Sequence, residues 1–195
     1  GFCRKKNAVT VLLKNFGVVA IASIVFFVIG YGVMFGDGNS FMGMSTFAPD
    51  GTEDNVGTLP IYVFLFFQLV FAATSCTIVS GAVAERARLL TFFVFTALAT
   101  AFIYPVVGHW VWGGGWLSEM GFLDFAGSTV VHAVGGGMAL AGALVAAILR
   151  PALGLQQHGG AEIAVAVPPV RRAGGGATGA QDALVKPIEL LAVVM

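Results

Sequence analysis

Residues 124–149 read DFAGSTVVHAVGGGMALAGALVAAIL, and they hold a single imidazole, His132, among small and apolar neighbours. A neutral imidazole both donates and accepts a hydrogen bond, and it titrates near neutrality. In an apolar span such a group lines a conduit or hydrogen-bonds to another helix, and both roles stand on position alone. Eight residues earlier lies Asp124, which caps the helix that follows or draws a cation by its charge, or does both. Just upstream, HWVWGGGW places Trp110, Trp112 and Trp116 around glycines 113–115. Indoles anchor at membrane interfaces, and their faces also attract cations. His109 in this stretch reads as a hydrogen-bonding structural group. Phe67 and Phe71 are four apart and share one helical face, either as a packing pair or as an aromatic plug that excludes hydrated ions. Gln68 and Ser80 add polar points. No metal-ligand cluster, phosphate loop or nucleophilic triad is visible, so neither an enzyme nor a resident cofactor is expected.

The elements that position these residues are membrane spans. Hydrophobic residues make up 57% of the chain and charged residues 10%, against roughly 25% charge in an average soluble domain. The mean hydropathy of +0.90 points to lipid as the solvent. Zero net charge excludes the basic footprint of a nucleic-acid binder, and no nucleic-acid partner is expected. Cys3 and Cys76 do not form a disulfide framework, and Cys76 reads as a small buried hydrophobe. No signal-peptide pattern opens the chain.

Four stretches reach the roughly 20 apolar residues that a helix needs to cross a bilayer. They cover about 10–35, 60–84, 89–111 and 124–149. The fold class is therefore an all-α polytopic membrane protein with a transmembrane region over 1–150. Arg4, Lys5 and Lys6 precede the first span, Arg86 and Arg88 follow the second, and Arg150 follows the fourth. The intervening loops carry Asp37, Asp50, Glu53 and Asp54, then Glu119. This alternation places 1–9, 85–88 and 150–195 on the cytoplasmic side. Glu85 and Arg86 read as a local pair at the inner turn. His132 falls roughly 12 Å inside the fourth span at 1.5 Å per residue. Residues 151–195 form a Gly/Pro-rich tail expected to be irregular, without a fifth span.

Four blocks together resemble the ammonium transporter family, the Amt side of the Amt/MEP/Rh superfamily. They are GFCRKKNAV at the head, FFQLVFAATSCTIVSGAVAER at 66–86, HWVWGGGW at 109–116 and DFAGSTVVH at 124–132. Trp112, Asp124 and His132 stand at the family's spacing. WVWGGGW favours the Amt side over an Rh-type gas channel. The resemblance implies an eleven-helix inverted-repeat fold, of which the four spans look like helices two to five. It implies a plasma-membrane trimer, homomeric or a related heteromer, with one ammonium pore per subunit. Trp112 looks like the outer-site residue that recruits the cation, Asp124 its indirect support and helix cap, and Phe67 a neighbour of that site. Phe71 looks like part of the pore gate and His132 like the first of two pore histidines.

The first helix and the second half of that pattern, with the second histidine, are not in this chain. His158 in the tail is no substitute. The chain alone is expected not to form a working pore, and reads as part of a longer transporter. The alternatives are an ammonium sensor of the same fold and a truncated, non-transporting membrane remnant.

Overall fold

The computed structural model describes residues 3–52 and 56–152, and side-chain surroundings as far as Ala146. A 3₁₀ turn, Lys5–Asn7, leads into α1 (Ala8–Val25), a π-helical segment (Phe26–Gly30) and α2 (Tyr31–Phe35). After a long loop come α3 (Ile61–Ala82) and α4 (Leu89–Leu98). A second π segment (Ala99–Ile103) and α5 (Tyr104–Val111) continue the third span, followed by the short α6 (Trp116–Glu119). A third π segment (Ser128–Ala133) opens α7 (Val134–Ala152). Four of these stretches are long and apolar enough to cross a membrane: Lys5–Phe35, Ile61–Ala82, Leu89–Glu119 and Ser128–Ala146. The described residues are thus all-α around a four-helix membrane-spanning arrangement. The tail, with His158, lies outside them.

Residues 1–142 make one compact unit; a second begins at Ala143, and its described part is the remainder of α7. In the first unit two apolar clusters hold the helices together. One joins Phe26, Tyr31, Leu65, Leu69, Tyr104, Val130 and Val131; the other joins Val18, Cys76, Val79, Phe92, Ala99 and Ala139. Leu12, Phe16, Val19, Leu90, Val94 and Leu98 stay exposed, as lipid-facing side chains should. Helical hydrogen bonding satisfies the backbone without water, and two buried threonine hydroxyls are closed the same way: Thr96 donates to Phe92 O at 2.9 Å and Thr100 to Thr96 O at 2.8 Å. Cys76 is a buried free thiol.

The π segments have a local cause in the third span. Pro105, one residue into α5, has no N–H for the carbonyl of Ala101, and its ring crowds that carbonyl. The helix widens at 99–103 rather than breaking. There it touches the first span's π segment. The approach is so close that a Cβ on Gly30 would stand 2.4 Å from Thr100 O. Small residues commonly permit such contact between membrane helices.

At the other end of the bundle, the turn after α3 holds Glu85 with φ of 63°. A left-handed non-glycine residue is uncommon, and here its side chain is anchored. Arg4 donates its backbone N–H to Oε1 at 2.8 Å and its Nε–H to Oε2 at 2.9 Å. Hydrogen bonds from the Asn7 side chain and from Arg4 hold the carboxyl below its ordinary range. The sequence suggested Arg86 as the local partner of Glu85. The structure corrects this to a tie across 81 residues, and Arg86 Nη1 donates to Ala82 O at 3.3 Å. The fourth span also differs from expectation. Its helical bonding starts at Ser128 rather than 124, because Gly127 takes a left-handed φ of 82°.

Replacing Gly30 by Ala should wedge the two π segments apart. Overpacking of this kind costs about 1–3 kcal/mol. A lowered unfolding midpoint of the purified protein is the expected result, and an unchanged midpoint would refute the close approach.

Candidate functional site

The site is assembled on the loop between the third and fourth spans. The four free N–H groups at a helix start need acceptors, and in an apolar setting the need is acute. Asp124 supplies them from outside the helix. Its Oδ1 accepts from the N–H groups of Gly127 and Ser128 at 2.8 and 2.9 Å, and from Ser128 Oγ at 3.2 Å. Its Oδ2 accepts from Thr129 and Val130, both at 2.8 Å. Burial pushes the Asp124 carboxyl up, but the backbone donors outweigh it and hold it below the ordinary value. Gly127 makes the geometry available. Its carbonyl accepts from both Val131 and His132, and a Cβ there would stand 2.6 Å from Val131 Cγ2.

The same aspartate positions the indole. Trp112 Nε1–H donates to the backbone carbonyl of Asp124 at 2.8 Å. The indole then lies 6.0 Å from Phe71, centroid to centroid, at 62°. Phe71 in turn meets Phe67 edge-on at 5.0 Å and 84°. α3, the end of α5 and the 124–128 turn thus bring Phe67, Phe71, Trp112 and Asp124 into one continuous group. Phe67 is half exposed and Trp112 partly buried.

His132 sits on the segment that Asp124 caps, with an exposed side chain. His132 is the fifth residue of that π segment, four positions past its start at Ser128. Gly136 and Gly137, farther along α7, are open, and a Cβ on either would meet nothing within 4 Å.

The other tryptophans fasten the loop that follows the first span. Trp110 Nε1–H donates to Phe41 O at 2.9 Å, and the backbone N–H of Trp116 donates to Ser40 O at 3.0 Å. His109 works with them: Nδ1 lies 2.8 Å from Met34 O and Nε2 lies 2.8 Å from Asn39 O. Gln68 is buried, and its Oε1 has no hydrogen-bond partner among the described residues. Ser80 donates to Asn15 Oδ1 at 2.9 Å. The sequence reading passed over Tyr104 and Lys14, two buried polar side chains without hydrogen-bond partners among the described residues. The signal for Lys14 was plain, a lone cation inside VLLKNFGVV. No group of three or more His, Cys, Asp or Glu residues capable of holding a metal occurs among the described residues.

Comparison with known proteins decides the family. Residues 1–163 match the Ammonium Transporter Family. This chain belongs to that family. It is a family of transporters, not of enzymes. The chain is 44% identical over 165 residues to ammonium transporter Amt2 of Archaeoglobus fulgidus, covering 79% of this chain and 34% of that protein. It is 39% identical over 157 residues to the ammonium transporter of Bacillus subtilis, covering 76% and 37%. Among solved structures it is similar to a sensor Amt protein, with TM-score 0.69 and 43% identity over 73% of this chain and 37% of that one. It is similar also to Saccharomyces cerevisiae Mep2, with TM-score 0.63 and 33% identity over 69% and 32%. This family member spans about a third of the length of the relatives it matches.

Asp124→Ala should lower stability by about 2 kcal/mol, the upper end for loss of a helix cap. The pH dependence has a definite sign. The folded carboxyl is depressed, so its contribution is complete above the ordinary value of about 4 and is lost as pH falls through the lower folded value. Unfolding midpoints measured from pH 7 to pH 3 should show this acid limb. Asp124→Asn should flatten it, and an identical limb in that variant would refute the assignment.

Proposed function

We propose that this chain is part of an ammonium transporter and contributes its outer recruitment site and one side of its pore. The observation that carries this reading is the Trp112 indole, held by the Asp124 carbonyl beside Phe71 and Phe67. Family membership supplies the substrate class. Trp112 recruits the cation through its ring face, Asp124 supports the site indirectly, and Phe67 lies beside it. Phe71 belongs to the gate and His132 to the pore wall. By resemblance the four spans correspond to helices two to five of eleven in a subunit of a plasma-membrane trimer, with 1–9, 85–88 and 150–195 facing the cytoplasm.

The mechanism follows from solvation. A bare ammonium ion is costly to bury in an apolar passage. Aromatic faces offset part of that cost at the entrance. Loss of a proton leaves neutral ammonia, which passes the constriction. His132 offers it a hydrogen bond or takes part in carrying the separated proton. Potassium has no proton to give up and is rejected. His132 is exposed in this unit, and in the intact transporter other segments close the passage over it.

The likeness to a protein described as a sensor Amt protein favours one second reading, ammonium sensing on the same fold. Methylammonium flux separates the two, because transport moves the probe and sensing alone does not.

In cells expressing the intact transporter, Trp112→Leu should weaken uptake of labelled methylammonium. A cation–π contact is worth about 0.5–2 kcal/mol, so the loss should be about 2- to 30-fold in apparent affinity. His132→Ala should change flux or ion selectivity. Unaltered kinetics and selectivity in both variants would overturn the proposed roles.

A further inference from the structure

Three glycines stand in a row at 135–137, near the start of α7. Glycine inside a helix is less favourable than alanine, because more backbone freedom is lost on folding. Gly135 has a packing reason. A Cβ there would stand 2.8 Å from Ile78 Cδ1 and 2.9 Å from Ser75 O, so α3 and α7 meet closely because it is absent. At Gly136 and Gly137 a Cβ would meet nothing within 4 Å among the described residues, and both positions are exposed. Contact with the rest of the unit therefore explains one glycine of the three.

The unexplained pair lies on the face that carries His132. Residues four apart share a helical face, and in a π segment the interval widens toward five. His132 is in the π segment Ser128–Ala133, so the next turn of its face falls at Gly136 and Gly137. All three are exposed, and Leu140, one turn farther along, is 54% exposed. Side chains on a helix lean toward its N-terminus. A side chain at 136 or 137 would thus lie back over the flank of the imidazole. With glycine there the flank stays bare, and a gap opens between the ring and Leu140. A further helix seated on the glycines would cover the ring as well, since all share one face, and would shut the passage proposed for His132.

We propose that Gly136 and Gly137 are specificity-determining positions of the pore, which keep clearance beside His132 for a hydrogen-bonded molecule of ammonia's size. The inference rests on the pore-wall role proposed for His132 and deepens it. The imidazole supplies the hydrogen bond, and the glycines supply the room. Ammonia has one heavy atom to place beside the ring. Its N-methyl analogue needs further space for a second. A methyl added to the wall therefore weighs most against the solute that brings a methyl of its own.

The test measures uptake of labelled ammonium and labelled methylammonium by cells expressing the intact transporter. Gly136→Ala and Gly137→Ala should each lower methylammonium uptake relative to ammonium by about tenfold, the lower end for discrimination by one methyl-sized group in an apolar pocket. Their unfolding midpoints should equal or exceed that of the wild type, because alanine favours the helix. Gly135→Ala should do the opposite, lowering the midpoint and leaving the uptake ratio as it was. An unchanged ratio in both Gly136→Ala and Gly137→Ala, beside normal wild-type uptake, would overturn the clearance and leave the transport reading intact. A wild type that moves neither solute would remove the transport reading and this inference with it. Variants at 136 and 137 with lowered midpoints, or too unstable to assay, would show another helix packed on the glycines and would also overturn the proposal. So would a Gly135→Ala protein with the same shift in ratio, since any methyl in the run would then suffice.

Discussion

The junction between the third and fourth spans depends on one carboxylate meeting the unpaired start of a helix. Asp124 accepts four consecutive backbone N–H groups, and its own carbonyl accepts the indole N–H of Trp112. The first set fixes where the fourth span begins. The second fixes where the aromatic ring stands relative to that beginning. One residue thus sets the register between the end of the third span and the start of the fourth. The requirement comes from the solvent: where water is scarce, unfilled N–H groups are expensive, so the cap is needed whatever else the site does.

That solvent also governs the rest of the bundle. Apolar packing against lipid gains little, because the tails are as apolar as leucine. Cohesion therefore relies on close fit and internal hydrogen bonds. The contact between Gly30 and the Thr100 carbonyl is the first kind. The Asn15–Ser80 bond and the His109 contacts to Met34 and Asn39 are the second. His109 holds the loop after the first span to the third span, and with Trp110 and Trp116 it makes HWVWGGGW a structural fastening as well as the source of Trp112.

The four spans were legible because apolar length is written directly in composition. The group around Trp112 was legible as residue types: an acid before a span, indoles at its edge and two phenylalanines four apart. Its connections were not. Nothing in the spacing of Trp112 and Asp124 shows that the indole meets the backbone of Asp124 rather than its carboxylate. The start at Ser128 depended on the left-handed turn at Gly127, one of many glycines in the chain. The π segment of the third span depends on how Pro105's missing donor is accommodated, which tertiary contact decides. The Arg4–Glu85 tie joins residues 81 apart, and the nearer Arg86 was the natural local reading. Lys14 was visible as a charge, but only packing shows it sealed against Phe92.

The hydrogen-bond inventory limits what the Trp112–Asp124 group can do chemically. An ionised carboxylate has about four acceptor positions, and those of Asp124 are taken by backbone N–H groups, with Ser128 Oγ crowding in as a further donor. It has little capacity left to ligate a cation directly, so its charge acts at a distance. Trp112 has one polar hydrogen, and the Asp124 carbonyl holds it. The indole is left to interact through its ring, whose face attracts positive charge. Commitment of both polar groups therefore turns the pair from competing hydrogen-bonding sites into a fixed aromatic surface backed by a negative charge. Such a surface does not need an incoming ion to displace a protein hydrogen bond. In the proposed recruitment role, such a surface suits a cation that is held weakly and then released.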